Sequence, residues 1–316
     1  MKESKKAGEV RNKRQSLKKR ILRNYELYLF LIPVFVMLIL FNYLPMVGIQ
    51  IAFRDYKPFT GFFGSDWVGL KYFKNFLSMT KFGTVIWNTI RISVYGLVAS
   101  TPLPIILALA LNLVPYKRFK KVVQTVTYAP HFISMVVIVG MLNVFLAPST
   151  GIVHNILERF GLLQGNLEIL LSAEAFPHLY IWSGVWQNIG WNSIIYLSAL
   201  SAVDQSLHEA AIVDGASKFQ RAVHIDIPSI MPTITILFIM NSSNILSVGF
   251  DKVYLMQNSF NLATSEVIST YVYKLGMQQA QYSLSTAIGL FNSVIEFGLL
   301  IFVNSLSKRL SENSLW

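Results

Sequence analysis

Long apolar runs recur along this chain, and they restrict its fold more tightly than any other feature. A helix needs about 20 predominantly apolar residues to cross the hydrocarbon core of a bilayer. Six stretches approach or exceed that length, at 27–49, 85–113, 122–146, 176–203, 230–248 and 285–306. The predicted fold class is therefore an all-α membrane protein with six transmembrane helices. Hydrophobic residues make up 53% of the 316 and charged residues only 14%, too few to cover a soluble domain of this size. The second and fourth stretches are long enough to tilt or to extend past the membrane.

Orientation follows from the basic residues of the short connections. The net charge is +11, and much of the surplus lies in one block, Lys2 to Arg23, ahead of the first run. A basic surplus can serve nucleic acid or an anionic membrane surface; its place beside an apolar run favours the membrane. Lys117, Arg118, Lys120 and Lys121 fall between the second and third runs, Lys218 and Arg221 between the fourth and fifth, and Lys308 and Arg309 after the sixth. With six spans all four groups share one side, which places both termini in the cytoplasm. The first outer connection, 52–84, is the exception with Arg54, Lys57, Lys71, Lys74 and Lys81. The first run is too long for a secretory signal and lacks a small-residue cleavage site, so it reads as a retained span. The organisation expected is a basic cytoplasmic tail over 1–26, a six-helix transmembrane domain over 27–306 and a cytoplasmic tail over 307–316. The chain has no cysteine, which removes disulfide, thiol and cysteine-metal chemistry.

The loop between the fourth and fifth runs, 204–229, carries the most specific pattern. It contains Glu209-Ala210-Ala211, then Asp214-Gly215-Ala216, then Lys218 and Phe219, and closes on Ile225-Asp226-Ile227-Pro228. Glu209, Ala210 and Ala211 favour helix. Gly215 can take the left-handed conformation that ends one. Residues 218–224 can form a second, amphipathic helix with Phe219, Ala222 and Val223 on its apolar side, which Pro228 stops or follows with the next span. The alanines leave a smooth surface that another protein can approach. The plain alternative is a helical hairpin lying on the membrane.

This loop resembles the EAA loop of binding-protein-dependent ABC importer permeases. Glu209, Gly215, Ile225 and Pro228 sit at the family's spacing, and Ile227 replaces its usual leucine. Residues Trp67 to Phe73 are similar to an element in the first outer loop of carbohydrate-type permeases. Thr125 to Ser134, Gly249 to Leu255, Thr270 to Tyr273 and the closing Leu315-Trp316 look like the polysaccharide and complex-sugar branch, to which the first permease of the alginate importer belongs. The resemblance implies a type I permease core with cytoplasmic coupling helices in the bacterial inner membrane. It implies as partners a second permease, two ATPase subunits and an extracytoplasmic substrate-binding protein. ATP and Mg would then be held by the partner ATPase, with no cofactor and no metal on this chain, which would itself be no enzyme. The ATPase-coupling residues implied are Glu209, Ala210, Ala211, Asp214, Gly215, Ala216, Phe219, Ile225 and Pro228.

A translocation path must be wetter than a lipid-facing surface, so polar and aromatic residues inside spans are candidates. The fourth run holds Trp182, Trp186, Gln187, Asn188, Asn192 and Tyr196; the fifth holds Asn241 and Asn244; the sixth holds Asn292 and Glu296. Aromatic faces stack on sugar C–H faces, and amides bond hydroxyls. Helix-to-helix hydrogen bonding explains the same amides without any substrate, and Glu296 could pair with Arg91. Pro102, Pro104 and Pro130 read as kinks or span ends.

Other classes account for less. A membrane-embedded sugar transferase needs carboxylates or histidines gathered at one face, whereas His131, His154, His178, His208 and His224 are scattered and no H-x-x-x-H or H-E-x-x-H spacing occurs. An ion-coupled transporter leaves the 204–229 loop unexplained. The phosphate-binding G-x-x-x-x-G-K-[ST] loop is missing, so ATP hydrolysis would belong to another chain.

Overall fold

The computed structural model describes residues 24–162, 165–243 and 246–311. The basic block at 2–23, Asn244 and Leu315-Trp316 lie outside the described residues. The chain divides into two units, Met1–Gln50 and Ile51–Trp316.

In the first unit, α1 (Tyr25–Leu38) runs into a π turn, Ile39–Tyr43, and a single α turn, Leu44–Met46. α1 is apolar all round, the mark of a helix whose solvent is lipid. The π turn precedes Pro45, which has no N–H to give to the carbonyl four residues back.

Among the described residues of the second unit the regular elements are helices, joined by turns and irregular segments, with one isolated antiparallel bridge between Arg54 and Trp67. α2 (Lys71–Ser78) leads to α3 (Lys81–Ser100) and α4 (Pro102–Leu113). α3 and α4 join at Thr101 into one apolar stretch, Lys81–Leu113. Proline tolerates the first helical position, so Pro102 marks the joint without breaking it. α5 (Lys117–Tyr128) and α6 (Met135–Phe145) meet at a 99° bend. The run at 122–146 is therefore not the single helix expected. Pro130 lies in the 3₁₀ turn Ala129–Phe132, and Ser134 caps α6 by accepting from the Val137 amide. The four basic residues assigned to a tight link are the first turn of α5 and its continuation.

After α7 (Ile152–Arg159) comes α8 (Ala175–Leu200), 26 residues long and the hub of the unit. It packs on α3, α4 and α5, and on α11 further along the chain. The remaining helices of the described residues are α9 (Gln205–Val213), α10 (Lys218–Arg221), α11 (Ile227–Ser243), α12 (Phe250–Met256), α13 (Ile268–Tyr273) and α14 (Tyr282–Ser311), with a single further turn at Leu262–Ser265. Two parts of the core hold these helices together. Ala108, Tyr196, Leu200 and Ile230 join α4, α8 and α11, while Phe76, Val85, Ile268, Tyr271, Leu284 and Ile288 join α2, α3, α13 and α14. Among the described residues four helical stretches are long and apolar enough to cross a membrane, Tyr25–Phe53, Lys81–Leu113, Lys218–Ser242 and Tyr282–Arg309, and five if the bent α5–α6 pair is one span.

An ion cluster around the buried Glu266 carboxylate ties α3 to the connection after α12. The Glu266 carboxylate accepts from Lys81 Nζ at 2.8 Å and from Lys274 Nζ at 3.1 Å. The side chain of Asn88 donates to the Ala263 and Glu266 carbonyls, and Thr89 Oγ1 accepts from the Ile268 amide. Burial by itself would raise the Glu266 pKa, but the two lysines outweigh it and hold the group below its ordinary value of 4.5. A depressed carboxyl contributes stability that is complete above its unfolded pKa and is lost as pH falls through the folded one. Thermal unfolding in detergent should therefore show a loss of stability below about pH 4.5 that is blunted in Glu266→Gln, which itself costs about 2 kcal/mol at neutral pH. An unchanged acid profile in the variant would remove Glu266 as its source.

Candidate functional site

The 204–229 loop is built from its helix ends. Asp204 starts α9 by accepting from the Ser206 amide at 2.9 Å. α9 ends in a Schellman motif: the Gly215 amide donates to the Ile212 carbonyl at 3.0 Å, and the Ala216 amide to the Ala211 carbonyl at 2.8 Å. Gly215 sits at φ +77°, a conformation that costs a residue with a Cβ. Ser217 and Gln220 then form a reciprocal capping box on α10.

The second helix of the loop is not a separate element. α10 continues through a π turn, Ala222–Asp226, into α11, so Pro228 lies near the start of a long helix and does not stop one. The π turn is the physical answer to a proline there: widening the helix upstream reroutes the Ile227 amide to the Ala222 carbonyl. His208 Nε2 stands 3.2 Å from Oδ1 of the fully buried Asp226 and links α9 to this π turn.

The exposed face of the loop is apolar and accessible. Val213 is 87% exposed and Phe219 76%, with Leu207 and Ile212 also exposed. Glu209, Ala210, Asp214, Gly215 and Pro228 are exposed as well, while Ala211, Ala216 and Ile225 are half-buried. Exposed apolar residues around the acidic side chains of Glu209 and Asp214, on a capped hairpin, form a surface suited to a protein partner.

The second candidate region follows α8. One cavity of about 380 Å³ is walled by Gln187, Asn188, Asn192, Ser100, Asp251 and Lys252 among others. A neighbouring one of about 270 Å³ includes Asn241 and shares Tyr180, Asn192, Ser100 and Gly249. The structure thus brings Gln187, Asn188, Asn192 and Asn241 to one region. Asn188 is already engaged, donating to the Gly184 carbonyl and pairing with His131, whose ring stacks on Trp191 at 4.4 Å. Gln187 donates to the Ile133 carbonyl at 3.0 Å and leaves its buried Oε1 without a partner.

The tryptophans are elsewhere. Trp182 and Trp186 wall an apolar groove against α6, lined by Ile138, Met141, Leu142 and Phe145. Trp182 donates to the Tyr95 hydroxyl, which also pairs with His178. Tyr196 is core, packed with Ala108, Leu200 and Ile230. Asn292 donates to Glu296 at 3.0 Å, so the partner of Glu296 is one turn away on its own helix and not Arg91. The sequence reading passed over Lys252, the His208–Asp226 contact and the capping box; the Ser217-x-x-Gln220 spacing was the available signal for the last.

Residues 100–312 match the family model described as binding-protein-dependent transport system inner membrane component. The protein LplB of Bacillus subtilis (strain 168) is 40% identical over 93% of this chain and 92% of its own length. The polygalacturonan/rhamnogalacturonan transport system permease protein YteP of the same organism is 39% identical over 97% of this chain and 95% of its own. A chain in the crystal structure of a bacterial alginate ABC transporter, in complex with its alginate pentasaccharide-bound periplasmic protein, superposes with a TM-score of 0.87 at 38% identity. That match covers 95% of this chain and all of the other. The chain is a multi-pass membrane protein and belongs to the binding-protein-dependent transport system inner membrane components.

Proposed function

We propose that this chain is one permease of an ATP-driven importer for an oligosaccharide or polysaccharide. The observation that carries the reading is the Schellman-ended, capped hairpin at 204–229, in a chain about two-fifths identical to saccharide permeases over nearly its whole length. Two ATPase subunits hold ATP and Mg and receive the hairpin: Glu209 faces a basic group there, and Leu207, Ile212, Val213 and Phe219 fill the apolar part of the socket. A second permease, a different chain, completes the path, and an extracytoplasmic binding protein delivers the saccharide. Gln187, Asn192 and Asn241 line this half of the path. Trp182 and Trp186 lie toward its outer rim or the second permease, and Asn188, Tyr196, Asn292 and Glu296 brace the helices around it.

The topology in this reading is six spans with both termini inside. Four are the apolar helical stretches, the fifth is the bent α5–α6 pair, and the sixth is α8. At 1.5 Å per residue α8 is about 39 Å long, enough to span; its tryptophans, amides and serines lower its hydropathy because it faces protein and water more than lipid.

ATP binding closes the ATPases, the hairpins move with them, and the spans rock as rigid bodies between outward and inward states. Reconstitution with the ATPase, second permease and binding protein tests the assignment. ATP-dependent uptake of labelled oligosaccharide should require all four components. Uptake that persists without ATP or without the binding protein would sink it.

A further inference from the structure

Lys252 is a buried cation with no ion-pair partner among the described residues. It is 4% exposed, yet it lies in the wall of the larger cavity beside α8. Its Nζ donates to the Tyr180 carbonyl at 2.7 Å and rests 4.9 Å from the centre of the Tyr180 ring. Among the described residues no carboxylate forms an ion pair with it. Asp251 lines the same cavity and forms no ion pair with Lys252. One carbonyl and one ring face leave ammonium hydrogens unmatched.

The fold makes room for this arrangement. Gly184 on α8 has no side chain where a Cβ would stand 3.2 Å from Nζ. Burial lowers the Lys252 pKa to about 8, so at neutral pH the group is still mostly charged, and a bound anion would raise it again. In the same wall the buried Gln187 Oε1 is an acceptor with no donor, and Ser100, Asn188, Asn192 and Asp251 supply further polar side chains. A buried charge with unused hydrogen-bonding capacity is costly unless something arrives to match it. The complementary ligand carries a carboxylate for Lys252 and hydroxyls for the amides.

We propose that Lys252, flanked by Gln187 and Asn192, is a carboxylate-binding station on the path, and that the cargo is an acidic, uronate-bearing saccharide. This rests on the importer reading above. Lys252 acts by charge, so its role is separable from packing.

The lack of cysteine in this chain permits a charge test at a single position. The Lys252→Cys complex is treated in detergent with 2-aminoethyl methanethiosulfonate, which restores a cation, or with ethyl methanethiosulfonate, which restores bulk only. It is then reconstituted and assayed for ATP-dependent uptake of an oligogalacturonate, with the wild-type complex treated in parallel. The untreated variant should import about tenfold more slowly or worse, the aminoethyl form should recover, and the ethyl form should not. Lys252→Arg should stay near wild type. Five outcomes overturn the station: a fully active Lys252→Cys complex, an unreactive one, equal rescue by both reagents, rescue by neither, or failure of Lys252→Cys to assemble. A wild-type complex that imports neutral but not acidic oligosaccharides removes this inference and leaves the importer standing; one that imports neither removes both.

Discussion

Gly215→Val should cut binding-protein-stimulated ATP hydrolysis and uptake by about tenfold or more while the permease still inserts and pairs. Gly215 holds φ +77°, and its amide and that of Ala216 close the last turn of α9. A left-handed conformation costs an L-residue about 1–2 kcal/mol, and a β-branched residue stands at the expensive end. Each 1.4 kcal/mol is a tenfold shift in the fraction of hairpins in docking geometry. A Cβ at 215 would meet nothing within 4 Å, so the penalty is purely conformational. That makes a graded series diagnostic. Asparagine tolerates left-handed backbone, so Gly215→Asn should retain most coupling, Gly215→Ala less and Gly215→Val least. Co-purification of the ATPase should fall in the same order. Wild-type turnover in Gly215→Val would dismiss the hairpin as the coupling element. An asparagine variant as poor as the valine one would mean that the position acts by surface contact and not by backbone conformation.

The difference between what the sequence disclosed and what it hid is one of distance along the chain. The Gly215 turn was legible because every atom it needs lies within five residues: a left-handed glycine and the carbonyls on which its amide and the next one close. Helix lengths were legible from apolar runs, which report the solvent of a segment rather than its neighbours. The bend between α5 and α6 was hidden because apolar residues continue through it, and only Pro130 and Ser134 record the change of direction. On α8 the i,i+4 spacing groups Trp182 with Trp186, and Asn188 with Asn192 and Tyr196, of which Tyr196 packs into the core. Spacing cannot say what each face meets: the tryptophans face an apolar groove on α6 and the two asparagines a polar cavity. Lys252 was passed over because its environment is a carbonyl and a ring 72 residues away, and nothing local marks it.

Gly190 is hidden for the same reason, and the largest structural effect is expected there. Within α8 a glycine looks like a weakness, since alanine in a helix interior is better by about 1 kcal/mol. Here, however, a Cβ would overlap the main-chain carbonyl of Thr127, at the end of α5, as well as its side chain. Backbone cannot rotate aside as a side chain can, so α5 and α8 would have to separate. Close approach through small residues is how membrane helices gain packing when no hydrophobic drive favours association. The separation would also strip the Gln187 bond to Ile133, the Asn188–His131 pair and the stacking of His131 on Trp191. Gly190→Ala should therefore lose about 3 kcal/mol of stability. In contrast, Gly289→Ala on α14, where a Cβ meets nothing within 4 Å, should be neutral or slightly stabilising. Thermal inactivation of the two purified complexes, read beside their levels in the membrane, makes the comparison at constant chemistry. Equal stability of the two variants would mean that α5 and α8 do not meet backbone to backbone. The cavity wall that contains Gln187, Asn188 and Lys252 would then lack the frame that holds it in register.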